Sequence, residues 1–225
     1  MNTCHDDKGR FCTGSGAAGQ PGSHHAGQAT KTGAAGGKER QRSSSPSKPG
    51  TADSRTSIGT VPGYSEEGAH AWRGANDGVF AQAAAAYNKK HDLSPGDPDY
   101  FTPERLKAWA MVESGGHPKD FATDPFQVNK KGDWDDQKAK RCGLQRGQAM
   151  TPATSAAAAL EWWHYKAYKH DANGRETTFK SVEGAFRDYN GKKDAYPYHP
   201  RVEHRDWYGK EVTKLDRIMS SQERK

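Results

Sequence analysis

The sequence predicts a mostly α-helical domain that follows a long disordered arm. Residues 1–72 are rich in Gly, Ser, Ala, Lys and Arg, and the only aromatic residue before position 61 is Phe11. A segment this polar buries too little apolar surface to offset its chain entropy. Beyond residue 75, aromatic residues and helix-start signals appear together, while strand signals are scarce. We therefore expect a disordered arm over 1–72 and a helical domain over 73–225.

Start and stop signals divide the domain into five predicted helices. The clearest begins at Thr102-Pro103-Glu104, because Thr is a favoured N-cap and Pro suits the first turn, and it ends before Gly115-Gly116. The segment 117–150 is predicted to be irregular, with a short strand near 126–128. The five helices are predicted over 77 to about 91, 102–114, 151 to about 172, 177 or 178 to 189, and 200 to about 220.

Composition and charge exclude several classes of protein. Only 32% of the 225 residues are hydrophobic, and no window supplies the roughly 18–20 consecutive apolar residues that a membrane helix needs, so we expect no membrane span. The net charge is +6, but residues 1–60 hold eight Lys or Arg and four Asp or Glu. The arm therefore carries +4 and the remainder only +2. A nucleic-acid-binding domain usually has a concentrated basic stripe, so nucleic acid is an unlikely partner.

The N-terminal residues carry no secretory signal, because MNTCHDDKGRFCTGSG lacks the charged start and the apolar run of such a signal. Phe11, several charged residues and two of the three cysteines lie within the first twelve positions. One interpretation is a short docking peptide for a partner protein, and the other is an ordinary frayed terminus. The cysteines, at positions 4, 12 and 142, form neither a zinc pair nor a disulfide framework.

Glu113 is the candidate for chemistry. Helical spacing places it on the same face as Leu106 and Trp109, which should face the core. It also lies at the C-terminal end of its helix, where the helix dipole is negative. Both features disfavour the carboxylate, so we expect a raised pKa. A protonated glutamic acid is what general-acid cleavage of a glycosidic bond requires. The alternative is that Glu113 points into solvent at a frayed helix end.

Three segments in order resemble a known family. They are AWAMVESGG at 108–116, DPFQVN at 124–129 and AFRDYNG at 185–191. Together they resemble the soluble lytic transglycosylases of the lysozyme-like superfamily, over roughly residues 100–215. Tyr208 and Val212 extend the resemblance into a later helix. The sequence departs from the family at 124–126, where Asp-Pro-Phe stands in place of the usual Gly-Leu-Met.

This resemblance implies a lysozyme-like helical fold with a cleft, and peptidoglycan glycan strands as the substrate. The bond cut would be the β-1,4 bond between N-acetylmuramic acid and N-acetylglucosamine. Glu113 matches the catalytic acid; it would protonate the glycosidic oxygen and then accept the proton of the muramyl 6-hydroxyl, which gives a 1,6-anhydro product. Phe126 is added as an apolar face for a sugar ring, with a hydrophobic plug as the equal alternative. The expected substrate-binding residues are Ser114, Phe126, Gln127, Tyr189 and Asn190.

Other interpretations stay open at this point. A second carboxylate facing Glu113 would make the protein a hydrolytic lysozyme. The candidates for it are Asp120, Asp124, Asp133, Asp135 and Asp136. A third possibility is a non-catalytic wall-binding module. The aromatic residues on the 151–172 helix are more typical of a core than of a sugar platform.

Neither a metal nor a cofactor is predicted. Glu161 and His164 have the spacing of a di-metal ligand pair, but a second such pair is missing. A wall-cutting enzyme without a signal peptide must reach the wall by another route. We therefore expect a phage virion, or the host cytoplasm with delivery to the periplasm or cell wall.

Overall fold

The prediction of a mostly helical domain is confirmed. The computed structural model describes residues 57–130 and 134–222, so the predicted arm up to residue 56 lies outside the described residues. A 3-10 helix at Gly68–Gly74 precedes seven α-helices in this part of the chain. The helices are α1 Asp77–Lys90, α2 Pro103–Ser114, α3 Pro118–Thr123, α4 Asp136–Cys142, α5 Pro152–Ala167, α6 Val182–Asn190 and α7 His204–Gln222. Four strands, β1 Tyr168–His170, β2 Glu176–Phe179, β3 Ala195–Tyr196 and β4 His199–Glu203, pair as two antiparallel hairpins, β1–β2 and β3–β4.

Helix α2 lies at the centre of the core. Thr102 caps its first turn by accepting a hydrogen bond from the Arg105 backbone N–H, as its sequence predicts. The helix packs against α1 and α7, and the Trp109 side chain is fully buried. Edge-to-face contacts join the Trp109 ring to Phe126 at 4.8 Å and to Phe186 at 5.2 Å between ring centroids. The core thus holds the helix that carries Glu113 on several sides.

Two elements differ from the sequence prediction around residues 168–181. Helix α5 ends at Ala167, and the segment predicted as helix becomes the β1–β2 hairpin. Its turn contains Asn173-Gly174, with Gly174 at φ 76°, which is a hairpin signal as well as a helix stop. Helix α6 consequently starts later than predicted, where the Ser181 hydroxyl accepts a hydrogen bond from the Gly184 N–H.

The segments around these helices differ in smaller ways. Helix α7 starts at His204 rather than at Pro200, because the β3–β4 hairpin precedes it. The region predicted as irregular contains the short helices α3 and α4, and α4 has an ordinary cap in Asp135. Residues 126–128 form turns rather than the predicted strand. The Phe126 and Val128 carbonyls accept hydrogen bonds from the side chains of Tyr189 and Lys138 rather than from a neighbouring strand.

The boundary predicted after residue 72 also differs from the structure. Residues 57–75, which we name the N-terminal strap, pack against the helical domain, and Ile58, Val61 and Tyr64 are buried. The three apolar side chains lie among Gly, Thr, Pro and Ser residues, which made the segment look like part of the arm. The folded part of the chain therefore includes residues 57–72, which the sequence had assigned to the arm.

A buried ionic cluster fastens the N-terminal strap to α1 and α2. The Lys107 side chain is fully buried, and its Nζ donates to the Gly59 carbonyl at 2.8 Å. Lys107 also pairs with the carboxylates of Asp77, at 3.0 Å, and Glu66. Asp77 accepts a further hydrogen bond from the Ile58 N–H at 2.9 Å. Burial raises the pKa of Asp77, and the hydrogen bonds from Ile58 and Lys107 oppose that rise.

Two histidines form a second polar cluster, between α1 and α5. The rings of His91 and His164 stack at 4.0 Å, and His164 bonds to the Tyr87 hydroxyl at 2.8 Å and to Glu176 at 3.3 Å. Burial, and then the proximity of His91, lower the pKa of His164 below 6.5, although Glu176 opposes the shift. In residues 57–130 and 134–222, no group of three or more His, Cys, Asp or Glu is arranged to hold a metal ion.

Stability is expected to fall as the pH drops through about 6.5. The unfolded chain takes up a proton there, while folded His164 resists protonation until lower pH, so the unfolded state binds more protons. His170, whose pKa burial also lowers, contributes in the same direction. Urea unfolding at pH 7 and pH 5 measures the effect, and His164→Gln should reduce the difference. Equal stability at the two pH values in the wild type would contradict this prediction.

None of the helices described combines the length and the apolar character needed to cross a bilayer. The aromatic residues of α5 take the core role that the sequence favours. Trp162 and Trp163 are both buried.

Candidate active site

Glu113 is partly buried in the last turn of α2 and faces α7. One carboxylate oxygen, Oε1, accepts a hydrogen bond from the Tyr208 hydroxyl. Tyr208 is buried, and its oxygen in turn accepts a hydrogen bond from the Trp109 indole N–H at 2.6 Å. A buried chain from indole to phenol to carboxylate therefore holds the acid in one orientation. The alternative of a frayed side chain in solvent does not describe this position.

The Tyr208 hydroxyl is a fixed proton donor to Glu113. Burial raises the pKa of Tyr208 well above 10, and the neighbouring Glu113 charge raises it further. The phenol is therefore protonated at neutral pH. The Tyr208 oxygen accepts a hydrogen bond from the Trp109 indole N–H, and its own proton is donated to Glu113.

Tyr208→Phe is expected to destabilise the protein by about 1–3 kcal/mol, because the indole N–H of Trp109 stays buried without its acceptor. It also removes the donor to Glu113. Denaturant unfolding measures the loss, with Tyr198→Phe as a control on the exposed ring of that residue. Equal stability of Tyr208→Phe and the wild type would show that the indole–phenol–carboxylate chain is absent.

The loop that follows α3 is held by side chains from three helices. The Ser114 hydroxyl donates to the Pro125 carbonyl at 2.7 Å, and the Tyr189 hydroxyl donates to the Phe126 carbonyl at 2.9 Å. Lys138 Nζ donates to the carbonyl of Val128 at 3.1 Å. Each backbone acceptor is thus bound by a different element: α2, α6 or α4. Loop residues fixed in this way are pre-organised rather than mobile.

Asp124 closes the same loop from within. Its carboxylate accepts hydrogen bonds from the backbone N–H groups of Val128 and Asn129 and from the Ser155 hydroxyl, the last at 2.5 Å. The Asp-Pro-Phe sequence that departs from the family pattern therefore forms a compact turn. Pro125 lacks an N–H to satisfy, and its ring is buried.

Gln127 has a left-handed backbone, with φ 53°. This conformation is uncommon for a residue other than glycine and is found where the surrounding structure imposes it. Its side-chain amide donates to the backbone carbonyl of Glu113. The strained residue of the second motif therefore binds the residue that carries the acid in the first motif.

The structure gives the other expected site residues supporting roles. Ser114 and Phe126 are fully buried, so in this structure they hold the loop and the core and present no surface to a sugar. The Tyr189 ring packs edge-to-face on Trp109 at 4.7 Å. The Asn190 side chain accepts a hydrogen bond from the Lys192 N–H at 3.3 Å, just beyond the end of α6. Gln127 and Tyr189 remain partly exposed.

The described candidates for a second carboxylate are engaged locally. Asp124 closes its own turn, and Asp120 pairs with Lys130 at 3.0 Å. Asp135 caps α4, and Asp136 accepts from the Trp134 indole at 3.1 Å. Asp133 lies outside the described residues.

A cavity of about 950 Å³ lies beside β2, α6 and α7, and its lining includes Lys180, Arg187 and Lys210 but not Glu113. The size of a cavity therefore does not identify the candidate site. Convergent polar contacts around Glu113 do so instead.

Sequence reasoning missed three contributors to the site. The resemblance flagged Tyr208 without a role, and it contained no signal for Lys138. Arg73 lies directly after the segment assigned to the arm, and its Nε donates to the Gly115 carbonyl at 2.6 Å. An Arg and a Trp close to three buried apolar residues were the only sequence signal for that contact.

No protein-family model matches this chain, and comparison with curated proteins and with solved structures finds no match. The resemblance consequently rests on the sequence segments alone.

Proposed function

We propose that the protein is a peptidoglycan lytic transglycosylase, with Glu113 as its single acid and base. The observation that carries this proposal is convergence on one residue. Gln127 of the second segment binds the Glu113 carbonyl, and Tyr208 of the later helix binds its carboxylate. Tyr189 of the third segment holds the Gln127 loop through the Phe126 carbonyl. A lysozyme-like fold with a cleft over Glu113 is part of the proposal.

The contacts of Glu113 suit a two-step proton transfer. Because Tyr208 donates to Oε1, the proton of the neutral acid resides on Oε2. In the first step, Oε2 gives this proton to the glycosidic oxygen as the bond to the muramyl C1 breaks. In the second step, the 6-hydroxyl oxygen of the same sugar bonds to C1, and its proton returns to the carboxylate. No water is consumed, and Glu113 ends in its starting state.

The carboxylate formed between the two steps is stabilised by the Tyr208 hydroxyl. A hydrogen bond to an ionised acceptor is stronger than one to a neutral acceptor, so this contact strengthens as the charge develops. We prefer the single-carboxylate scheme to a hydrolytic lysozyme because the candidates among the described residues are engaged elsewhere. Asp120, Asp124, Asp135 and Asp136 each have a local partner.

Clearing of a suspension of purified peptidoglycan tests the proposal. The full chain is expected to lower the turbidity and to release soluble muropeptides into the supernatant. Sedimentation of the protein with the wall, without any soluble product, would contradict an enzymatic role and favour the non-catalytic wall-binding module.

A further inference from the structure

Arg73 contacts the end of the helix that carries Glu113, from a segment outside the residues that carry the resemblance. Its Nε donates to the Gly115 carbonyl at 2.6 Å, and its Nη1 donates to the Ser65 carbonyl at 3.1 Å. The guanidinium also lies over the Trp72 and Tyr64 rings, at 5.1 and 5.4 Å from their centroids. The side chain is therefore held in place by the N-terminal strap.

The C-terminal turn of α2 depends on long-range partners for its carbonyls. The last carbonyls of a helix lack intrahelical donors and need other partners when they are shielded from water. The Met111 and Ser114 carbonyls accept from the backbone N–H groups of Gly115 and His117. The Glu113 carbonyl is bound by the Gln127 side chain, and the Gly115 carbonyl by Arg73. Two side chains from distant segments therefore fix the turn in which Glu113 lies.

Arg73 acts from the side of α2 away from the acid. Gly115 is two residues beyond Glu113, which is about 200° around a helix of 3.6 residues per turn. Lys107 lies eight residues before Gly115, which is about two turns away and about 80° around the helix. The N-terminal strap is fastened to α2 at both points. The Lys107 cluster therefore holds the strap that presents Arg73.

We propose that Arg73 is a positioning residue for Glu113, and that the N-terminal strap is a functional part of the active site. The expected effect of Arg73 on the reaction rate rests on the proposed function. Its expected effect on the Trp109–Tyr208–Glu113 hydrogen bonds rests only on the contacts described above. The guanidinium fixes the last turn of α2, and this turn sets the carboxylate against the Tyr208 hydroxyl. Loss of the Arg73 contact moves the acid while the core stays folded.

The test compares Arg73→Met with Arg141→Met in the full chain. Arg141 is a similarly half-buried guanidinium, over the Tyr165 ring at 3.8 Å, in α4. Arg73→Met is expected to lower kcat on purified peptidoglycan by about tenfold or more, with KM within about twofold, because small displacements of a catalytic group cost rate. Arg141→Met should leave both constants near those of the wild type. Arg73→Lys, which keeps the charge but lacks Nε, should fall between the wild type and Arg73→Met.

A second readout does not depend on activity. The Trp109 indole N–H resonance, assigned by its loss in Trp109→Phe, reports on the hydrogen bond to Tyr208. It should shift in Arg73→Met and stay in place in Arg141→Met. A shift without any activity in the wild type would support the positioning role and contradict the proposed function. An unchanged resonance and rate in Arg73→Met, or equal changes in both Met variants, would overturn the inference. If Arg73→Met does not fold, the same comparison is made with Arg73→Lys.

Discussion

Replacing Glu113 with Gln is expected to reduce the release of soluble muropeptides by about 10²–10⁴-fold, which is the usual contribution of a general acid or base. The substitution keeps the shape of the side chain and an oxygen that can accept from Tyr208. It removes only the group that gives and takes the proton. Turnover of purified peptidoglycan, measured by soluble product, gives the effect.

The control for this variant is its structure. Far-UV circular dichroism and the unfolding midpoint of Glu113→Gln should match those of the wild type, because Gln127 binds the backbone of residue 113 and not its carboxylate. Undiminished activity in a correctly folded Glu113→Gln variant would remove Glu113 from the mechanism.

Lys107→Met is expected to cost about 3–5 kcal/mol of stability. The change leaves the carboxylates of Asp77 and Glu66 close together without their shared cation, and the loss of one member of a buried ion pair has this magnitude. The Gly59 carbonyl also loses its donor. Urea unfolding of the full chain measures the change in the free energy of unfolding.

Lys214→Met is the matched control for that experiment. Lys214 is 63% exposed and pairs with Glu211 at 3.4 Å, so its loss should change stability by no more than about 0.5 kcal/mol. Similar effects of the two lysine substitutions would show that the Lys107 cluster does not hold the N-terminal strap.

Local signals predicted the two helices that matter most. Helices α1 and α2 lie within one residue of their predicted bounds at both ends. In α2, Thr102, Pro103 and Gly115 act on the helix turn next to them, so the start and the end of the helix follow from local sequence. The position of Glu113 near the core follows from the same helix, because its spacing from Trp109 is fixed.

Features that depend on distant residues escaped prediction. Arg73 and Gly115 are 42 positions apart, and Tyr208 and Glu113 are 95 positions apart. Neither pairing has a local pattern. The β1–β2 hairpin was missed for a different reason, since Asn173-Gly174 ends a helix and turns a hairpin equally well. Packing of Tyr168 on Phe179, at 5.5 Å, favours the hairpin in the folded chain.

For the site, the sequence predicted which residues lie close together better than it predicted what each of them does. The three segments and the later helix with Tyr208 contain the residues that converge on Glu113. Their roles were not predicted. Ser114 and Phe126 were expected to bind a sugar, but both are fully buried. The Ser114 hydroxyl donates to the Pro125 carbonyl, and the Phe126 ring packs against Trp109 in the core.

Digestion of purified peptidoglycan in water enriched in a heavy oxygen isotope tests the central claim most directly. If Glu113 accepts the 6-hydroxyl proton and no water attacks, the mass spectrum of the soluble products shows 1,6-anhydro muropeptides without heavy oxygen at C1. Products that carry one heavy oxygen at a reducing end would contradict the single-carboxylate mechanism.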